Sequence, residues 1–108
     1  MSNKKGLTIF VDIDGTICDG VYPYYEQALP IPNRIHNLNK MYQKGHTIIF
    51  WTARGVGSKK DYSKLTKKQL KQWGCKYHKL IMKGKPLYDV FIDDRCENAN
   101  ILDNGMFI

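Results

Sequence analysis

The apolar run Leu7-Thr8-Ile9-Phe10-Val11 ends in Asp12-Ile13-Asp14-Gly15-Thr16, so a short strand delivers two carboxylates into a glycine turn. Side chains two residues apart share a strand face, which sends Asp12 and Asp14 the same way. Gly15 then lets the backbone turn sharply beside them. Two carboxylates that close repel unless a proton or a cation sits between them. The plainer alternative is an aspartate turn that only caps the segment after it.

The rest of the chain reads as strands alternating with helices. An irregular, aromatic-rich segment from Thr16 to Pro32 carries Tyr22, Pro23, Tyr24 and Tyr25. A helix is predicted from Pro32, a residue suited to the first turn, to Lys44, with Gly45 as its stop and Ile35, Leu38, Met41 and Tyr42 as its buried stripe. His46 to Trp51 reads as a buried strand ending in Thr52-Ala53-Arg54-Gly55, followed by a loop to Lys60. A second helix, from Asp61 or Ser63 to Trp73, turns Leu65, Leu70 and Trp73 inward and stops at Gly74. Tyr77 to Met82 and Tyr88 to Ile92 are predicted strands, the latter ending in Asp93-Asp94. A last helix over Cys96 to Leu102 and an edge strand over Gly105 to Ile108 complete the expectation.

Such alternation implies an α/β fold with a parallel sheet and right-handed crossovers, in which ligands bind at the carboxyl ends of the strands. That rule brings Asp12, Asp14, Thr52, Arg54, Asp93 and Asp94 to one edge. Lys83-Gly84-Lys85-Pro86 precedes the fourth strand, and either lysine could bring an ammonium group to the same rim. Clustered carboxylates need a hard cation, and oxygen ligands without His or Cys select Mg²⁺ over zinc. A phosphate held by Mg²⁺, a lysine, a threonine hydroxyl and turn amides is open to in-line attack by a carboxylate. A second carboxylate two residues on can protonate the leaving oxygen and then activate water.

Composition narrows the classes. A chain of 108 residues with 43% hydrophobic content fits a single domain, 1–108, with an ordinary core. The formal charge is +7, and ten lysines with one acid, Asp61, fall between Lys59 and Lys85. That field suits phosphates, nucleic acid or an anionic surface; the bland reading is a solvated helix face. Three widely spaced cysteines and a polar start lead us to expect a reducing, cytoplasmic setting. Cys75 and His78 lack a second pair for a zinc site. No stretch approaches the roughly 20 apolar residues of a membrane span.

These residues resemble the haloacid dehalogenase superfamily of phosphohydrolases over nearly the whole chain. Val11-Asp12-Ile13-Asp14-Gly15-Thr16 looks like its first motif, Phe50-Trp51-Thr52 its second, Lys85-Pro86 its third and Phe91-Ile92-Asp93-Asp94 its fourth. The resemblance implies a Rossmann-like three-layer fold, with Asp12 as the phosphorylated nucleophile and Asp14 as general acid and base. It implies that Thr52 and Lys85 bind the phosphoryl group. Mg²⁺ would rest on Asp12, Asp14 through its main-chain carbonyl, and Asp93, with Asp94 supporting or exchanging with Asp93. Gly15, Thr16, Ala53, Arg54 and Tyr24 are the candidate substrate contacts. The segments between motifs are too short for an inserted cap, so specificity falls to the flap tyrosines, the Arg54 to Lys64 loop or a neighbouring subunit in a homo-oligomer. Small capless members with Thr-Ala-Arg-Gly and Gly-Lys-Pro-x-Tyr-Asp segments resemble phosphatases of surface-sugar biosynthesis, which implies a small sugar-phosphate-like substrate.

Arg54 meets either a substrate anion or one of Asp93, Asp94 and Glu97. His36, His46 and His78 are read as structural, and Trp51 and Trp73 as core. Two other classes remain open. A phospho-aspartate receiver switch shares the strand-end acids, threonine and lysine but has no counterpart of Asp14. A polynucleotide phosphatase or binder would use the lysine field.

Overall fold

The computed structural model describes residues 6–56, 60–82, 90–93, 97–98 and 101–104; in the last three segments, the described side chains are those of Ile92, Leu102 and Asp103. Lys83, Lys85, Asp94 and the Gly105 to Ile108 edge strand lie outside the described residues, as does the side chain of Asp93.

Among the described residues, five strands, β1 (Thr8–Val11), β2 (Thr47–Trp51), β3 (Lys79–Ile81), β4 (Val90–Asp93) and β5 (Glu97–Asn98), form one sheet in the order β3-β2-β1-β4-β5, with every described pairing parallel. The described α-helices, α1 (Pro32–Gln43), α2 (Ser63–Gln72) and α3 (Ile101–Asn104), complete a Rossmann-like α/β fold, as expected. The register sets Ile9 against Ile48, and Val11 against both Phe50 and Ile92. These residues share a face with period two. They join Ile35, Leu38 and Met41 of α1, Leu70 of α2 and Leu102 of α3 in one buried cluster.

α1 starts at Pro32 and ends one residue before the predicted limit. α2 likewise ends at Gln72, with Trp73 as its cap. The end of the chain differs from expectation. Where a helix over Cys96 to Leu102 was predicted, Glu97 and Asn98 pair with Ile92 and Asp93 as β5, and the helix begins only at Ile101. A two-residue strand carries no periodicity, so only its neighbour in the sheet defines it.

Two histidines finish strand ends. His46 Nδ1 accepts the Leu7 N–H (3.0 Å), and His78 Nδ1 accepts the Ile48 N–H (3.1 Å) while its ring stacks on Tyr42. Both are structural, as read from the sequence. Among the described residues no helix is long and apolar enough to cross a membrane.

Candidate active site

β1 and its neighbours bring the expected residues to the carboxyl edge. Asp12 leaves β1 with its N–H donating to Ile92 O (3.0 Å), so it stands beside Asp93, the last residue of β4. Thr52 leaves β2 with its N–H donating to Ile81 O (3.0 Å). Asp12 is partly exposed, whereas Thr52 is buried and its hydroxyl oxygen accepts the Arg54 N–H (3.2 Å). That bond fixes the hydroxyl's position without using its hydrogen.

Asp14 is held from several sides. The chain turns tightly after Ile13: Gly15, with φ +84°, donates its N–H to Cys18 O (2.9 Å), and Thr16 and Ile17 both donate to Ile13 O. The turn amides proposed as substrate contacts at Gly15 and Thr16 are thus spent on closing the turn, because a reversal this tight must satisfy its own backbone. The Thr16 side chain is buried, and its hydroxyl has no partner among the described residues. From outside the turn, the Arg34 guanidinium donates to Thr16 O (3.1 Å) and Gly15 O (3.4 Å) while pairing with Asp103 of α3 (2.9 Å).

The most consequential arrangement was not foreseen. Arg54 is 2% exposed, and the side chains of Asp93, Asp94 and Glu97, its expected alternatives, lie outside the described residues. Arg54 forms a two-pronged ion pair with Asp14, Nε to Oδ2 at 2.9 Å and Nη2 to Oδ1 at 2.7 Å. Its Nη1 donates to Thr66 Oγ1 (3.1 Å) and Gln69 Oε1 (2.7 Å) of α2, and the Tyr25 ring lies 4.7 Å from the guanidinium carbon. Burial alone would lower the Arg54 pKa, but the Asp14 carboxylate outweighs it and the net shift is upward.

Thr66, Gln69 and Tyr25 were not singled out for this role. The signal available in the sequence was weak: Tyr62, Thr66, Gln69 and Trp73 lie on one helical stripe with Leu70, but Thr and Gln on a lysine-rich helix read as solvent-facing. Gly20 was missed as well. A Cβ there would lie 1.9 Å from Asp14 Oδ1, so only glycine leaves room for this carboxylate.

Of the flap tyrosines, Tyr25 is buried against Tyr62 and Arg54, whereas Tyr22 and Tyr24 are each 61% exposed at the rim. Ala53 is exposed after Thr52. A cleft of about 340 Å³ opens next to Arg54, bounded by Val56, Lys60, Tyr62 and Met82.

A hard divalent cation would find the Asp12 carboxylate at the end of β1, beside the strand end where Asp93 stands in the chain. Cys18 is buried, and its thiol is pushed up to about 12, first by burial, so it stays neutral. Both Asp14 carboxylate oxygens are engaged by Arg54, which leaves its main-chain carbonyl as the donor the resemblance implies. Among the described residues no three His, Cys, Asp or Glu side chains converge, and the set would be completed at Asp93 and Asp94, whose side chains lie outside them.

No family profile matches this chain, and no curated protein matches it. Solved structures do. A structural-genomics protein from Vibrio cholerae superposes with a TM-score of 0.66 and 26% identity over 90% of this chain and 88% of its own. A conserved protein from Bacteroides thetaiotaomicron gives 0.67 and 23% over 93% of this chain and 88% of its own. A chain of the Pnkp1/Rnl/Hen1 RNA repair complex gives 0.65 and 20%, with this chain spanning 40% of its length. What this chain shares with these proteins is the fold, a parallel Rossmann-like sheet.

Proposed function

We propose that the chain is a Mg²⁺-dependent phosphomonoester hydrolase of the haloacid dehalogenase type, acting through phospho-Asp12 on a small phosphorylated metabolite such as a sugar phosphate. The observation that carries this reading is the meeting of Asp12, Thr52 and the Asp93 position at one sheet edge, with Asp14 aimed by a buried guanidinium. In this reading an Asp12 oxygen attacks phosphorus, the P–O ester bond breaks, and the leaving oxygen takes a proton from Asp14. Water then gives a proton to Asp14 and attacks phosphorus, releasing phosphate and regenerating Asp12. Asp14 Oδ1 accepts from both Arg54 Nη2 and the Cys18 thiol (3.4 Å), whereas Oδ2 accepts from Arg54 Nε and keeps a second lone pair for proton transfer. The Thr52 hydroxyl donates to the phosphoryl group, as does Lys85 or Lys83. Asp12, the Asp14 carbonyl and Asp93 would hold Mg²⁺, which would supply charge neutralisation for the phosphate. Exposed Tyr22 and Tyr24 present rings to the leaving group.

The test is phosphate release from sugar phosphates, nucleotides and 3′-phosphorylated oligonucleotides, with Mg²⁺ or chelator and Asp12→Asn as blank. Release that needs Mg²⁺ and vanishes in Asp12→Asn supports the proposal; release retained in Asp12→Asn overturns the mechanism.

One observation favours a polynucleotide substrate as a second reading. Lys60 borders the cleft, and Lys64, Lys67 and Lys71 are exposed at intervals of three and four residues along α2. Side chains at such helical intervals lie about 5–6 Å apart, so the three form one basic stripe that a phosphodiester backbone can follow. Oligonucleotide affinity falling steeply between low and moderate salt would favour that substrate, and a flat response would remove it.

A further inference from the structure

The Arg54 guanidinium has five N–H donors, and each has a partner. Nε gives one to Asp14, Nη1 gives two to Thr66 and Gln69, and Nη2 gives one to Asp14 and directs the other at Cys18 Sγ, 4.0 Å away. With one face against the Tyr25 ring, the group can neither rotate in its plane nor tilt without losing a bond. No donor is left over for a substrate anion, so Arg54 orients Asp14 rather than gripping phosphate.

Thr66 is fully buried and Gln69 is 5% exposed. Polar groups at such depth cost free energy unless bonded, and an apolar pair at i and i+3 would fill the same helix stripe. What an apolar pair could not do is saturate Nη1 and thereby turn the Nε and Nη2 edge of the fork toward Asp14. Gln69 also donates Nε2–H to Tyr25 O (2.8 Å), so one amide ties the flap backbone to the guanidinium.

We infer that Gln69 and Thr66 are positioning residues for the general acid, fixing the Asp14 carboxylate through Arg54 and linking it to the flap; this rests on the role proposed for Asp14 above. General acid assistance matters most when the leaving group is poor. Misplacing Asp14 should therefore slow alkyl phosphates far more than p-nitrophenyl phosphate.

The experiment compares Gln69→Met, Thr66→Val and Thr66→Ser on an alkyl phosphate and on p-nitrophenyl phosphate, alone and on an Asp14→Asn background, with the Arg54 Nε–H resonance followed by NMR. In Gln69→Met and Thr66→Val, kcat on the alkyl ester should fall about 10–100-fold, part of the ~10²–10⁴ a general acid supplies. On p-nitrophenyl phosphate the fall should be under about threefold, with KM near wild type. Thr66→Ser should restore the rate, the Asp14→Asn background should abolish the effect, and the protected Nε–H signal should be lost in both disruptive variants. Equal losses on both esters, losses that add to Asp14→Asn, or an unchanged Nε–H signal would overturn the inference. If Gln69→Met does not fold, the Thr66→Val and Thr66→Ser pair decides alone. A wild type that turns over neither ester overturns the hydrolase reading instead, and the Nε–H signal then still decides whether α2 fixes the guanidinium.

Discussion

Replacing Arg54 with methionine removes a charge whose side chain is wholly buried and leaves a partner, Asp14, whose side chain is only 20% exposed. Methionine fills most of the volume, so the loss is electrostatic rather than a cavity. The Asp14 carboxylate loses two charge-assisted bonds, and Thr66 Oγ1 and Gln69 Oε1 lose their donor. Breaking one side of a buried ion pair costs about 3–5 kcal/mol, and partial water access to Asp14 points to the lower end. About 3 kcal/mol lowers Tm by roughly 12 °C or more for a chain of this size, and moves the urea midpoint by about 1.5–2 M. Urea titration followed by circular dichroism, at neutral pH and fixed salt, reads the effect directly. Asp14→Asn on the same background should cost less than in the wild type, with a coupling of at least about 1 kcal/mol. A midpoint shift under about 0.3 M, or strict additivity in the double variant, would show that the pair is not the buried contact described.

Three further outcomes follow from neighbouring contacts. Gly20→Ala drives a methyl into Asp14 Oδ1 and should cut phosphate release about tenfold or more while the far-ultraviolet spectrum stays native; wild-type turnover would mean that the carboxylate has another seat. Asp103→Asn removes the partner of Arg34, whose hydrogen bond, with that of Asn33, holds the Asp103 carboxyl below its ordinary value. A depressed folded-state pKa contributes stability that is present above the unfolded pKa and lost as pH falls through the folded one, so the Tm gap between wild type and variant should be full at neutral pH and close below about pH 4. A gap independent of pH would refute the linkage. Cys18, fully buried and pushed up to about 12, should resist iodoacetamide at pH 8 in the folded protein and react on denaturation, as read by peptide mapping; rapid labelling in the native state would contradict the burial.

The apolar runs of β1 and β2 and the acids, threonine and turn after them determined the sheet's centre and which residues emerge at its carboxyl edge, because a buried parallel strand is a local signal and a parallel sheet exposes its carboxyl ends. Pro32 and Gly45 likewise bounded α1 from within the sequence. Partnership was another matter. Arg54 and Asp14 are 40 residues apart, and which acid the guanidinium meets depends on how the turn after Ile13 folds back beneath the flap. Thr66 and Gln69 carry no apolar signature, so their burial is decided only when α2 docks over Arg54. Gly20 looks like any loop glycine until the Asp14 carboxylate lies against it. β5 exists because β4 offers an edge, not because two residues prefer extension. Local pattern therefore determined where acids emerge; tertiary packing decided how one of them is aimed, since hydrogen-bond geometry between distant segments has no counterpart in residue order.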